Sequence, residues 1–319
     1  MNKLKNRQRF LDLLRYVLGV RERGPADRVA ITNPVGKRRL SSELEGVLLI
    51  QELNCVACHE SHVGKTGIAA RKSPNLNWSR QRLNPRYLAK FIADPHGMKP
   101  GTTMPDVLGH LGKEASVDSA NAISPFLQTN INDSFRSQKF DADSVSRGSD
   151  LFHTVGCVAC HAPRDTTARE MPLAQSIPLG VLSQKYSINA MVDFLKDPHA
   201  VRPSGRMPNL NLNHHEATDI AGYLLQNASQ EVTEWTSNAT LANQGKLLFF
   251  VLGCASCHTH QAVVNRQILR PPALEKSNPR HGCLSGTTGR WPNFHFSNSQ
   301  LESIRLALKK APFNLTGEQ

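Results

Sequence analysis

Apolar side chains recur at helical spacing in three stretches of the chain that resemble one another. They are Gly46–His59 (GVLLIQELNCVACH), Gly148–His161 (GSDLFHTVGCVACH) and Gly245–His258 (GKLLFFVLGCASCH). Each stretch predicts a helix that runs into a pair of cysteines, with a glycine nine residues before the first cysteine. A glycine inside a helix costs about 1 kcal/mol relative to alanine. Its recurrence at one offset therefore indicates that a second helix packs closely against the first.

A second repeated pattern follows the first two of these stretches. Tyr87–Asp106 and Ala190–Asn209 align at an offset of 103 positions. Each predicts an amphipathic helix that ends at Asp-Pro, because proline disfavours helical geometry in the residue before it. An extended loop with a Met-Pro pair is expected next.

Three further helical patterns close the repeats, at about 117–128, 215–226 and 299–310. Phe126 and Tyr223 stand on the first two of these closing helices. We expect each aromatic ring to lie over the glycine of the opening helix in its own unit, since only a glycine leaves room for such an approach.

The repeats predict an all-α fold with three tandem units. The boundaries we expect are a basic extension and linker at 1–39, then units at 40–137, 138–232 and 233–319. Within the extension, residues 10–20 have the pattern of an amphipathic helix.

Each opening helix ends in C-x-x-C-H, the motif of covalent c-type haem attachment. The cysteine pairs are Cys55 and Cys58, Cys157 and Cys160, and Cys254 and Cys257, followed by His59, His161 and His258. Two thiols three positions apart can bond to one porphyrin, and the following histidine then binds the iron. Zinc is the competing interpretation, but a zinc ribbon needs a second pair nearby, and here the next pair lies about a hundred residues away.

The Met-Pro loops supply candidates for the sixth iron ligand in the first two units. A thioether is a good distal ligand, which points to Met104 and Met207. Met98 competes in the first unit, but Val201 takes its place in the second. His96 and His199 compete in both units, although a surface or propionate contact suits their position after the helix-ending proline.

A proline follows each proximal histidine, at Pro74, Pro178 and Pro272. Its carbonyl could accept a hydrogen bond from the histidine Nδ1–H and so fix the tautomer and the ring plane. An ordinary loop proline is the alternative at each site.

The third unit lacks a methionine after Cys254. His295 is the best-placed candidate ligand of its iron, with His281, Cys283 or an open site as alternatives. Cys283 can equally be a small buried thiol or one half of a disulfide.

Composition and net charge bear on how the chain folds and on which partners it can bind. Apolar residues make up 39% of the chain and aromatic residues 6%. These are few for three hydrophobic cores unless porphyrins supply part of the apolar volume. We therefore expect the haem-free chain to fold poorly. The net charge of +12 suits docking to an acidic redox partner. We expect no nucleic-acid binding, because no basic run is interleaved with aromatics.

Haem attachment of this kind takes place outside the cytoplasm, so a periplasmic or otherwise exported protein is expected. No signal peptide is visible in the sequence: the first apolar stretch, residues 10–20, is short and interrupted by Asp12 and Arg15. No apolar run is long enough for a transmembrane helix.

These motifs resemble type I, mitochondrial-like cytochrome c domains. The resemblance covers roughly 42–130 and 145–227, whereas the region at about 240–312 matches only at its two ends. It implies one covalent haem c per unit, three in all. His59, His161 and His258 would be proximal ligands, and Met104 and Met207 distal ones.

Two functions are consistent with these features. The first is electron transfer by a triheme c-type cytochrome, in which each iron cycles between ferric and ferrous states. The second is a haem enzyme, peroxidase-like or small-ligand-binding, that uses an incompletely ligated third haem fed by the two His/Met haems. A structural metal protein is a third possibility.

Overall fold

A computed structural model describes residues 41–59, 71–128, 140–165, 169–171, 176–226, 238–262, 271–278 and 280–309. The extension at 1–39 and its helical pattern lie outside these ranges. The regular elements of the described ranges are helical. The long helices are α1 (Ser42–Glu52), α2 (Pro85–Ala93), α3 (Lys113–Leu127), α4 (Ala142–Thr154), α5 (Ile188–Lys196), α6 (His214–Leu225), α7 (Ala239–Val251) and α8 (Asn298–Lys309).

Short helical turns connect the long helices. Single α-turns lie at Ser79–Arg82, Pro95–Met98 and Pro198–Val201, and 3₁₀ turns lie at Cys55–Ala57, Leu76–Trp78, Gly109–Leu111, Cys157–Ala159, Leu182–Gln184, Cys254–Ser256, Leu274–Lys276 and Gly282–Leu284. None of the described helices is both long and apolar enough to cross a bilayer.

Polar side chains at the helix starts explain where the opening helices begin. Asp141 accepts a hydrogen bond from the Ser144 amide at 2.7 Å, at the start of α4. Asn238 does the same for the Leu241 amide at 3.1 Å, at the start of α7. In the first unit Ser41 is the N-cap and accepts from the Leu44 amide at 3.3 Å.

The Asp-Pro pairs end α2 and α5 as predicted, but the chain does not become extended at once. Asp94 accepts from the Gly97 amide at 2.8 Å, and Asp197 accepts from the Ala200 amide at 3.1 Å. Each aspartate therefore caps one further helical turn that begins at proline, whose fixed φ suits the first helical position. The Met-Pro loops start after this turn.

The second unit packs in the way that its sequence predicted. Helix α4 crosses α6, and a methyl group on Gly148 would overlap the Asp219 carbonyl and contact Tyr223. The rings of Phe152 and Tyr223 lie 5.7 Å apart in the core of this unit. The glycine is thus required by the close approach of the closing helix.

The first and third units instead exchange their closing helices. Helix α1 packs against α8, and α7 packs against α3. A methyl group on Gly46 would overlap the Ser303 carbonyl, and one on Gly245 would overlap the Ala122 carbonyl. This pairing differs from the expectation that each opening helix packs against the closing helix of its own contiguous unit.

The sizes of the facing side chains account for the exchange. Four residues after its glycine, α7 carries Phe249, whose ring lies 5.5 Å from Phe126 of α3. At the equivalent place α1 carries Ile50, which shares a buried cluster with Ala307 of α8. The two aromatic side chains, Phe249 and Phe126, therefore pack together in one core, and the smaller Ile50 and Ala307 pack together in the other. This matching of sizes keeps both cores closely packed.

The loops of Asp106 and Asn293, which lie in the two units that exchange closing helices, contact each other directly. Asp106 and Asn293 donate their backbone amides to each other's carbonyls, both at 2.8 Å. Reciprocal contacts of this kind are those of a two-fold interface, here formed within one chain. The second unit joins the first at Leu83 and Tyr186, where the Asn84 amide donates to the Lys185 carbonyl at 2.9 Å.

Candidate haem-attachment sites

The three C-x-x-C-H motifs have one backbone conformation. Each forms a 3₁₀ turn that is entered through a residue with positive φ, namely Asn54 (56°), Gly156 (118°) and Gly253 (74°). In each turn the histidine amide donates to the carbonyl of the first cysteine, at 3.0, 2.9 and 2.9 Å for His59, His161 and His258. Glycine or asparagine is needed at the entry because both tolerate the left-handed region.

A backbone carbonyl fixes the ring of each motif histidine. His161 Nδ1 lies 3.0 Å from the Ile177 carbonyl oxygen. An Nδ1–H that donates to a carbonyl leaves Nε2 with its lone pair, the form that binds a metal. Burial lowers the pKa of His161 and of His258 and so favours the neutral ring.

Two of these carbonyls come from the exchanged partner. His59 Nδ1 lies 2.8 Å from the Pro272 carbonyl, and His258 Nδ1 lies 3.0 Å from the Pro74 carbonyl. The prolines were thus correctly singled out, but Pro74 and Pro272 each serve the other unit's histidine. In the second unit the acceptor is Ile177, the residue before Pro178.

The motif thiols lie in surroundings that suit thioether formation. Burial raises the pKa of Cys55 and of Cys254 to about 12, and that of Cys157 to about 11. When a neutral S–H adds across a vinyl group, the product is an uncharged thioether. Surroundings that disfavour the charged thiolate accommodate this product. In the part of the chain that is described, no three His, Cys, Asp or Glu side chains converge as a metal-ion site.

All three motifs line one continuous cavity of about 2490 Å³. Pockets for one drug-sized molecule measure roughly 300–1,000 Å³, so this cavity has room for several large groups. The first and third motifs lie near each other within it, since burial and then the neighbouring Cys58 thiol raise the pKa of Cys257. The paired thiols that line the cavity, the oriented histidines and the size of the cavity all fit covalent haem.

The methionines and histidines proposed as distal ligands lie in different places. Met104 and Met207 line the cavity, as does Met98, which is 37% exposed. His96 and His199 are not among the lining residues. They lie on the short turns capped by Asp94 and Asp197.

His295 also lies outside the cavity lining, although its neighbours Phe294 and Phe296 belong to it. Its exposed side chain packs against His96, with ring centroids 4.6 Å apart and the ring planes tilted by 44°. Its Nε2 lies 3.9 Å from an Asp106 carboxylate oxygen. This position differs from the axial role that the sequence suggested for His295.

Other side chains of the atypical distal region do line the cavity, namely His281, Cys283, Arg290 and Trp291. For Trp291 the sequence favours packing against a porphyrin and capping of the core equally. A signal was present, because Trp291-Pro292-Asn293 parallels Met207-Pro208-Asn209.

Four cations gather at one wall of the cavity: Arg82, Lys99, Lys185 and Arg202. Burial and the nearby Arg202 lower the pKa of Lys185 to about 7 and that of Lys99 to about 8. Lys185 Nζ lies 4.8 Å from the centre of the Tyr186 ring, and Arg202 donates to the Tyr186 hydroxyl at 2.6 Å. This wall would favour a bound anion, since an anion would relieve the repulsion among the cations.

Comparison with known families supports a haem protein in the middle of the chain. The cytochrome c family model matches residues 145–228, which contain the second motif, Met207 and α6. This match supports a c-type cytochrome domain with covalently bound haem c and a role in electron transfer. No curated protein and no solved structure matches the chain.

Proposed function

We propose that this protein is a triheme c-type cytochrome that relays single electrons between redox partners. The observation that carries the proposal is the threefold recurrence of one geometry. Three cysteine pairs and three carbonyl-anchored histidines share a backbone conformation and line one cavity. When bound, each haem supplies one-electron Fe(III)/Fe(II) cycling.

The chain's own residues attach and orient the haems. The thioether bonds would be formed by Cys55, Cys58, Cys157, Cys160, Cys254 and Cys257, and the iron would be held by His59, His161 and His258. Met104 and Met207 would supply sulfur ligands, since both thioethers line the cavity whereas His96 and His199 do not, and Val201 replaces the rival Met98 in the second unit. The neutral Nε2 of each proximal ring is held in place by the carbonyl on Nδ1.

The cationic wall has a role in this arrangement. Each haem carries two propionate groups, and Lys99, Lys185 and Arg202 line the cavity that the haems would fill. Carboxylates beside these groups would stabilise their charged forms and raise the two lysine pKa values back towards their ordinary range.

The same proposal covers partners and location. A net charge of +12 suits an acidic docking surface on a redox partner, because complementary charge speeds encounter. The maturation of c-type haem places the protein in the periplasm or another exported compartment.

The test is haem stoichiometry on protein matured in an exporting host. We expect three haems per chain in the pyridine haemochrome assay and haem stain that stays with the chain on a denaturing gel. The Met207→Ala protein should keep three haems but lose part of the ferric His/Met absorption band. Colourless protein, or zinc held between the paired sulfurs, would contradict the proposal.

A further inference from the structure

The exchange between the first and third units changes which distal loop faces which attachment motif. Helix α3, which follows the Met104 loop, packs against α7, which leads into Cys254. Helix α8, which follows residues 291–297, packs against α1, which leads into Cys55. Phe294 and Phe296 accordingly lie in the same buried cluster as Cys55.

The loop before α8 repeats the backbone of the loop before α6. Residues 207–213 (MPNLNLN) align with residues 291–297 (WPNFHFS) at an offset of 84 positions. Asn211 and His295 are equivalent and have φ values of 53° and 51°. Their amides donate to the side chains of Asn209 and Asn293, at 2.8 and 2.9 Å.

Trp291 therefore takes the place that Met207 has in the second unit. An indole has no donor atom for iron, since its ring nitrogen carries a hydrogen and offers no lone pair. In this chain the Trp291 Nε1–H is engaged with the Thr287 carbonyl at 3.2 Å. The loop that faces His59 thus presents a bulky apolar side chain where the other two loops present a thioether.

We infer that the haem attached at Cys55 and Cys58 has no sixth ligand from the protein and binds small molecules, whereas Met104 ligates the haem of His258. This inference rests on the proposed function, since it concerns haems that the three motifs attach. It moves the incompletely ligated site from the third motif, where the sequence placed it, to the first.

Two other side chains near this site bear on the inference. His281 is exposed. Cys283 packs in the cluster of Cys55 and Val56, beside the attachment cysteine. Neither stands on the loop that is equivalent to the methionine loops, and each is tested by substitution below.

The first experiment uses the matured holoprotein and carbon monoxide. We expect about one third of the ferrous haem to give a carbon monoxide difference spectrum. In Trp291→Met the response should be lost and the ferric His/Met band should grow by about half, whereas Trp291→Phe should keep the response. The same response should persist in Cys283→Ser and His281→Ala.

The second experiment identifies the motif. Cys55→Ser with Cys58→Ser should leave two haems and abolish the carbon monoxide response. The matched protein with Cys254→Ser and Cys257→Ser should also leave two haems but keep the full response. If either protein fails to accumulate, contacts between the Met104 methyl and the His258 haem, seen by NMR in the intact ferrous protein, provide the same assignment.

The outcomes separate this inference from the proposed function. No covalent haem in the wild-type chain would overturn the proposed function itself. Three haems with no carbon monoxide response, or a response that appears only in Cys283→Ser or His281→Ala, would overturn the open site. A response lost with the third motif instead of the first would overturn the exchange of distal loops.

Discussion

The second unit and the interleaved first and third units solve one packing problem in two ways. In the second unit the opening helix, the proximal carbonyl and the closing helix all come from one contiguous segment, as Gly148, Ile177 and Tyr223 illustrate. In the other two, His59 depends on Pro272 and His258 depends on Pro74. These two partnerships span 213 and 184 positions of the chain.

The comparison shows that local geometry and helix partnership are decided separately. The attachment turns are alike in all three units, with histidine-to-cysteine hydrogen bonds of 2.9 to 3.0 Å. The pairing of helices instead matches side-chain size at the residue four positions after the glycine: Phe152 and Phe249 meet the rings of Tyr223 and Phe126, whereas Ile50 meets Ala307. A repeat can therefore keep its chemistry while its core is completed by a distant segment.

The largest effect is expected when the chain is divided. Residues 138–232, expressed alone with haem maturation, should fold and hold one haem, because every partner of α4 that we describe lies within them. Residues 40–137 alone should hold none, since α1 would lack α8 and α3 would keep α2 but lack α7. Haem stain on a denaturing gel and circular dichroism would measure both.

The control for this experiment is to supply the missing part of the chain as a separate polypeptide. Adding residues 233–319 as a separate chain should restore haem to residues 40–137 and bring both pieces into one complex on size exclusion. If residues 40–137 fold and take up haem by themselves, the exchanged pairing is wrong.

A smaller effect is expected from Gly245→Leu. The new side chain would overlap the Ala122 carbonyl of α3, and overpacking of this kind costs about 1–3 kcal/mol. Because α3 follows the Met104 loop, the free energy of unfolding and the ferric His/Met band should both fall. Leu247→Ala on the same helix is the matched control, since Leu247 is 67% exposed. If Gly245→Leu lowers the free energy of unfolding but leaves the ferric His/Met band unchanged, the packing of α3 does not position Met104.

The smallest effect is expected at a contact found in the second unit alone. Asp219 accepts from Ser144 Oγ at 2.6 Å and from Arg147 Nε at 2.8 Å, whereas Ala122 and Ser303 stand at the equivalent positions. Asp219→Asn should lower the free energy of unfolding of residues 138–232 by about 1 kcal/mol. Ser303→Ala is the comparison, because it removes only a 3.4 Å contact with Glu45.

The pH dependence of the Asp219 contact has a definite sign. The hydrogen bond from Arg147, followed in effect by that from Ser144, lowers the pKa of Asp219. A carboxyl group with a lowered pKa in the folded state binds fewer protons there than in the unfolded chain. Its stabilisation is therefore complete above about pH 4, the pKa in an unfolded chain. It is lost as the pH falls through the folded pKa, and acid titration of Asp219→Asn should lack this part of the loss.

The sequence predicted the local features of the site well. The attachment turns, the helices that lead into them and the Asp-Pro ends of α2 and α5 follow from residue types that act over a few positions. The prolines that anchor His59 and His258 were also visible, although not the histidine that each one serves. His295 was favoured for its place between Pro272 and the closing helix, whereas in the structure it aligns with Asn211 and is not among the residues that line the cavity.

By itself the sequence determined the helices of the described residues and three copies of C-x-x-C-H, because capping, proline geometry and cysteine spacing are local properties. Only the tertiary structure decided that α1 pairs with α8 and α7 with α3, and hence that the loops of Trp291 and Met104 each precede a helix that packs against the other unit's opening helix. The physical reason is that helix partnership depends on the summed fit of side chains across an interface. A glycine that demands a close neighbour does not specify which neighbour, and the match of Phe249 to Phe126 and of Ile50 to Ala307 exists only once the helices meet.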